Sequence, residues 1–401
     1  MIPHFSHKLR FIGVAFLLLT ALGLSAATYE LTVDNGTVAL DAAMAAVYPT
    51  ATLKAEDVIV KNGSGTLTDS ETALAVTDKL RFEICAGVFE EGISRVGCTY
   101  CVSNGAAVKV SVALNTLTPK GSSAAFMLCG AGTKNCPGAL YLTAASGASN
   151  QYIVYELTGD AVICAGGQSV QFSSSASSTK DYNLFKMNGH ALRFKNTTTT
   201  KWFRFRYAVN FTDPGEIIFD KCGVTKHSEM PVRVSGTAST LPCVRLVNSA
   251  KINFVDSNFA NKIDILDCEA GTKITKVNDD PTDYTLACVR GFPEITEEVT
   301  DGVCQKITIK RLIAKAEDIN AGRFLEATPN LHFAGNATVD IDDPSALTKL
   351  PDGGVLLAQG TEAVIGTASR GPSLAENHLR LRQDGQSLWL CPPMGLILLF
   401  R

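Results

Sequence analysis

Two short acidic clusters carry the residue types that polysaccharide-cleaving sites use. Asn278-Asp279-Asp280-Pro281 and Asp340-Ile341-Asp342-Asp343-Pro344 each end in Asp-Asp-Pro. On an extended strand Asp340 and Asp342 share a face, where a further oxygen ligand would complete a Ca²⁺ site. Beside such a cation a uronate is neutralised while a base removes its proton; paired carboxylates can instead cleave a glycosidic bond. The same residues also suit a turn, because Asp side chains bond the local backbone and Pro fixes φ. Asp340, Asp342 and Asp343 are thus the catalytic candidates of a lyase or hydrolase reading, and turn residues otherwise.

A second constellation is Lys201-Trp202-Phe203-Arg204-Phe205-Arg206-Tyr207. Strand alternation puts Trp202, Arg204 and Arg206 on one face and Phe203, Phe205 and Tyr207 on the other. An outward Trp flanked by arginines can stack on a sugar ring or grip an acidic glycan, which makes these three the ligand-binding candidates. The plainer alternative is a strand whose Phe face fills a core while Arg stems cover its outside.

Other chemistry is thinly represented. Cys98 and Cys101 have the spacing of half a zinc site, but no second pair of Cys or His follows to close a tetrahedron. His190, His227, His332 and His378 are scattered, with no H-E-x-x-H spacing. Gly130-Ala131-Gly132-Thr133-Lys134 has glycines without the Lys-Ser/Thr order of a phosphate loop, and no G-x-S-x-G elbow occurs. No cofactor is expected, and Ca²⁺ belongs only to the lyase alternative.

The chain of 401 residues has 36 basic and 39 acidic side chains, for a net charge of −3. That balance excludes a polybasic nucleic-acid binder. Lys8 and Arg10, the apolar run 11–24 and the small residues Ser25, Ala26 and Ala27 have the layout of a cleaved secretory signal peptide. The apolar run is shorter than the roughly 20 residues of a membrane span, and no second candidate follows. Losing Lys8 and Arg10 takes the charge from −3 to −5. All 12 cysteines lie in the mature part, where an oxidising compartment favours disulfides. Cys85, Cys98, Cys101, Cys129 and Cys136 are near enough in sequence for local bridges, whereas cysteines in apolar strings, such as Cys164 and Cys288, read as buried thiols.

The elements that must position these residues are strands. Runs at 108–112, 152–157, 191–194, 216–219, 251–255 and 306–313 are β-branched or aromatic and are separated by Gly, Asn, Asp, Ser and Pro. One Ala-rich stretch, 40–47, started by Asp41 and stopped by Pro49, predicts a short helix. Similar triplets end at Phe172, Phe194 and Phe219, separations of 22 and 25 residues, with further ones at Phe254 and Phe333. Steps of about 20–30 residues match one turn of a stacked coil. Segments 378–382 and 387–391 alternate around Asp384-Gly385, which predicts a hairpin.

These phrases carry a resemblance. Lys61-Asn62-Gly63-Ser64-Gly65-Thr66-Leu67-Thr68 resembles the K-x-G-x-G-T-L-x-L phrase of the autotransporter-associated β-strand repeat. Asn188-Gly189-His190-Ala191-Leu192-Arg193-Phe194 is similar to the N-G-H-x-L-x-F coils of such exported bacterial proteins. The region 347–366, the hairpin and the ending 395–401 resemble the terminal region of autotransporter-like proteins from Verrucomicrobia and Lentisphaerae. The repeat phrase occurs once, and no tract forms a translocating barrel.

The resemblance implies an all-β chain, a single right-handed parallel β-helix (β-solenoid) with an N-terminal capping helix and a C-terminal hairpin cap. The expected organisation is a signal peptide at 1–27, an N-terminal cap at 28–60, coils over 61–370 and the hairpin cap at 371–401. The expected role is non-catalytic, a structural or adhesive module at the cell surface, associated with the outer membrane or extracellular. Its partners would be cell-surface or host glycans or proteins, not nucleic acid, and the mature chain would have no transmembrane segment. The two alternatives are a polysaccharide lyase or glycoside hydrolase on a pectate-lyase-like β-helix, and a carbohydrate-binding module.

Overall fold

The computed structural model describes residues 26–69, 79–92, 97–112, 123–145, 152–173, 183–206, 209–227, 232–254, 257–277, 283–298, 307–327, 331–360 and 368–393. Residues 1–25 of the expected signal peptide, the cluster at 278–281, Tyr207, Cys304 and the chain end at 395–401 lie outside the described residues.

The chain is all-β, with strands in a 23-stranded and a 10-stranded sheet. Among the described residues every pairing is parallel except the two made by Ser387–Cys391. The chain runs through strands Asn183–Lys186, Leu192–Asn196 and Trp202–Arg206 and then returns. Val209–Thr212 pairs with the first, Glu216–Asp220 with the second and Gly223–His227 with the third. Parallel pairing demands such a crossover, because successive parallel strands cannot be joined by a tight hairpin.

Alternation within each strand turns alternate side chains inward, and the pairing register stacks them in rows. One row runs Val38, Leu67, Phe89, Val108, Leu140, Ile163, Phe194, Phe219, Leu246 and Cys268. Another runs Ile59, Phe82, Tyr100, Phe126, Tyr155, Phe185 and Phe211. From Phe82 to Phe211 its rings stack nearly parallel, with successive centroids 5.3, 5.0, 5.8, 4.7 and 5.1 Å apart. Offset stacking of this kind adds about 0.5–1.5 kcal/mol per pair beyond the area each ring buries.

Five of the six expected strands appear within a few residues of their expected bounds, for example Ala106–Val110, Leu192–Asn196 and Ile307–Ala314, while the run expected at 152–157 continues as Tyr152–Ala165. The predicted helix forms at Leu40–Val47 and buries Leu40 and Met44. The hairpin forms as Arg380–Asp384 against Ser387–Cys391, around Gly385 at φ +57°. The phenylalanine spacing needs correction. Phe194 and Phe219 are register partners, but Phe172 lies in the other sheet and pairs with Phe205. The 22-residue step from Phe172 to Phe194 is therefore a crossing between sheets, closed by an edge-on contact at 5.8 Å, and not one full return.

The repeat-like phrase has a local physical reason. Gly63 lies at φ +79°, and a Cβ on it would fall 2.5 Å from the Val33 carbonyl oxygen one strand level earlier. A Cβ on Gly65 would come within 2.8 Å of the Val33 side chain. Lys61, buried at 1% exposure, turns its ammonium onto the carbonyls of Gly63 and Ala86.

Among the described residues the expected disulfides do not form. All eleven described cysteines carry free thiols. Cys98 is buried, while Cys101 is half-buried and opposite Met127, whose sulfur lies 3.5 Å away. Parallel register pairs each residue with the level above and below, and that register does not set Cys against Cys in the stack.

Candidate functional site

The three aspartates of the lyase reading are all engaged by backbone amides at helix starts. Asp340, 4% exposed, ends the strand Leu331–Ile341. Its Oδ1 accepts from the amides of Ser373 at 3.1 Å and Leu374 at 3.3 Å and from the Ser373 hydroxyl, and so caps the helix Pro372–Glu376. That helix begins after Gly371, which has no side chain to cap with. A Cβ at Gly371 would fall 2.5 Å from Asp340 Oδ2. Asp340 Oδ2 also lies 3.6 Å from Arg311.

Asp342 accepts from the amide of Ala316 at 3.0 Å, the first residue of the helix Ala316–Asn320, and pairs with Arg290 at 3.2 Å. Asp343 accepts from the Ser345 amide at 3.1 Å and caps the turn Pro344–Ala346. The Ser345 hydroxyl bond, with the amide bonds behind it, holds the Asp343 carboxyl below its ordinary pKa. A carboxylate at a helix start is favoured by the amides and dipole there. The three carboxylates therefore serve three different helix or turn starts. Among the described residues no cluster of three His, Cys, Asp or Glu could hold a metal.

The same face of the 23-stranded sheet carries an ion-pair ladder. Arg245, Asp267 and Arg290 are register partners on successive strands. Arg245 and Arg290 lie 3.8 and 3.7 Å from Asp267 Oδ2, Arg245 lies 3.7 Å from Glu216, and Lys315 lies 2.6 Å from Asp267 Oδ1.

The aromatic–arginine strand lies in the other sheet. Phe203 and Phe205 are buried, and Trp202 and Arg204 alternate outward as expected. Trp202 is half-buried, since its ring covers Gly223 on the next strand, where a Cβ would fall 2.3 Å from Cε3. Arg204 is exposed between Gln171 and Thr225 in register. Arg206 lies in register with Ser173 and His227, and its side chain is outside the described residues. The tryptophan is thus held against backbone on one side.

Sequence reasoning missed a groove on the outside of the first strand levels. It has a volume of about 620 Å³. Its floor is two outward rows, Thr37, Thr66 and Val88, and Glu90, Lys109 and Tyr141. Glu90 and Lys109 pair at 2.8 Å. Its wall is the loop Thr133–Cys136, tightened by the Thr133 amide donating to the Cys136 carbonyl at 2.8 Å and the Cys136 amide donating to the Thr133 hydroxyl at 3.1 Å. Cys136 anchors the loop by packing on Val88, Ala107 and Tyr141. Burial pushes the Cys136 thiol above its ordinary pKa, with Lys109 acting against the shift, and burial also raises the Tyr141 phenol. The sequence signal was Gly130, Gly132 and Gly138 around Thr133 and Cys136. Gly132 lies at φ +80° with no room for a Cβ, which is what a tight surface loop requires.

No family model, no curated protein and no solved structure matches this chain. Among the described residues no helix is long and apolar enough to cross a membrane.

Proposed function

We propose that this chain is an exported, non-catalytic structural or adhesive module, secreted or held at the cell surface. Its fold is a single right-handed parallel β-helix, with the helix Leu40–Val47 over the first coil and the hairpin of Arg380–Asp384 and Ser387–Cys391 on the last. It is of autotransporter-passenger type. The observation that carries this reading is the unbroken inward row from Val38 to Cys268, in which each parallel strand stacks on the one before. Rows of this kind bury a continuous core between neighbouring levels and leave a long, regular outer surface. The amide and arginine partners of Asp340, Asp342 and Asp343 favour a scaffold over a lyase, since those carboxylates already have structural work.

The test has two arms. In a Gram-negative host the full chain should leave the cytoplasm and lose a segment ending near Ala26 or Ala27 by N-terminal sequencing. The purified protein, with added Ca²⁺, should leave a broad polysaccharide panel intact. Retention in the cytoplasm with an intact N-terminus sinks the export reading. Turnover lost in Asp340→Asn, Asp342→Asn or Asp343→Asn makes the protein a lyase or hydrolase.

A further inference from the structure

The groove beneath the loop Thr133–Cys136 has the chemistry of a saccharide site. Its volume of about 620 Å³ falls within the range of about 300–1,000 Å³ usual for small-molecule sites. Tyr141 and Val88 give it an apolar strip, and Thr66, Thr133 and Thr143 line the same space. Glu90 and Lys109, paired at 2.8 Å, add one strong acceptor and one strong donor. A pyranose ring has the matching shape, with an apolar C–H face and an edge of hydroxyls that both donate and accept. Tyrosine suits such a ring because it combines a rigid apolar body with a polar tip.

Other ligand classes fit less well. The strands Gly87–Glu91 and Ala106–Val110 are each paired on both sides, so no open edge remains for a peptide strand. Glu90 offsets the charge of Lys109, so only Lys134 adds uncompensated positive charge to the lining, less than the several basic contacts that phosphate recognition uses. The lining is also too polar for a lipid chain.

The floor is preorganised. Its strands are locked by pairing on both sides, and the wall loop is held by its own backbone bonds and by Cys136 in the apolar cluster. A rigid site loses less entropy on binding a ligand.

We propose that this groove binds a hexopyranose saccharide, with the ring against Tyr141 and its hydroxyls on the threonines and the Glu90–Lys109 pair. This deepens the adhesive reading and rests on it, since it names the class of ligand such a surface would hold. Export is read by fractionation and the groove by titration of purified protein, so the two fail separately.

The experiment is a screen of the purified full chain on an array of hexopyranose oligosaccharides, followed by calorimetric titration of the best binder. Tyr141→Ala and Glu90→Gln should each weaken binding at least tenfold, while Trp202→Ala leaves it within twofold. Tyr141 also packs beside Gly166, so Lys134→Ala combined with Asn135→Ala, both exposed on the loop, is the second variant and should weaken binding at least fivefold. The proposal is overturned if no saccharide binds above background. It is equally overturned if the Glu90→Gln and loop variants both bind like wild type, or if Trp202→Ala abolishes binding, which would put the sugar on the other sheet.

Discussion

Lys315 reaches back over Gly291 to set its Nζ 2.6 Å from Asp267 Oδ1 and 2.9 Å from the Cys268 carbonyl. Gly291 makes the path possible, because a Cβ there would fall 2.2 Å from that carbonyl and 3.3 Å from Lys315 Cε. Both charged side chains are only 9% exposed, and Arg245 and Arg290 flank the same carboxylate. Removing one partner of a buried pair leaves the other charge uncompensated, which costs about 3–5 kcal/mol. Asp267→Ala should therefore lower the unfolding free energy measured in urea by an amount in that range, without changing the slope of the transition. Gly291→Ala should also destabilise, since Gly291 needs φ +83° as well as the open path. A loss under about 1 kcal/mol for Asp267→Ala would remove the pair from the list of stabilising contacts.

Asp340 gives a second expectation. Its carboxylate caps a helix three decades of sequence away and pairs with Arg311, so Asp340→Ala should cost about 2 kcal/mol through the lost cap and charged hydrogen bonds. Ca²⁺ at millimolar concentration should leave the melting temperature of the wild type unchanged. A Ca²⁺-dependent rise that Asp340→Ala abolishes would return this residue to the metal-site reading.

The stacked rings predict opposite signs for two substitutions at neighbouring levels. Phe185 is fully buried between Tyr155 and Phe211, and Phe185→Ala should cost about 3–5 kcal/mol. The Tyr155 hydroxyl is buried in this stack with no hydrogen-bond partner among the described residues, and its burial raises the phenol pKa. Tyr155→Phe removes that unsatisfied group and should stabilise the protein by about 1 kcal/mol. Destabilisation on Tyr155→Phe in chemical denaturation would mean that the hydroxyl has a partner.

Lys61 makes stability depend on pH. Burial pushes its pKa down to about 8, against a smaller upward pull from Asp34. Below about pH 8 folded and unfolded chains both hold the proton. Between about 8 and the ordinary lysine value of 10.5 the unfolded chain binds more protons, so this residue's contribution to stability rises with pH across that window. The full change is about 3 kcal/mol. Measured as melting temperature, the difference between wild type and Lys61→Met should move in favour of the wild type from pH 7.5 to 10.5. A pH-independent difference would show that the ammonium is solvated.

The thiols can be counted. With a chromogenic thiol reagent in denaturant and no reductant, all eleven described cysteines should react. In the folded protein Cys85, which is exposed, should react first. Burial pushes Cys164 and Cys243 up to about 11, and raises the buried Cys222 and Cys268 as well, so these should react slowly at pH 8. Fewer than eleven reactive thiols in denaturant would bring back the disulfides expected of an exported chain.

Local order was legible in the residues themselves. Strand alternation is a property of adjacent positions, so the buried Phe203 and Phe205 and the outward Trp202 could be assigned from residues 202–205 alone. The helix at Leu40–Val47 and the hairpin around Gly385 were likewise written in short-range signals, an Ala-rich run and a glycine turn. What lies between levels was not. Along the aromatic stack the step from Phe82 to Tyr100 is 18 residues, and that from Tyr155 to Phe185 is 30. Connections of unequal length hide the register, so the count from Phe172 to Phe194 joined residues of different sheets. The same register put Asp340 at the start of a helix beginning at Pro372, turned Lys315 onto Asp267, and set a threonine row beside the Glu90–Lys109 pair to make a groove. Those contacts join residues about 20–50 positions apart in sequence, and only the stacking of strand on strand decides which of them meet.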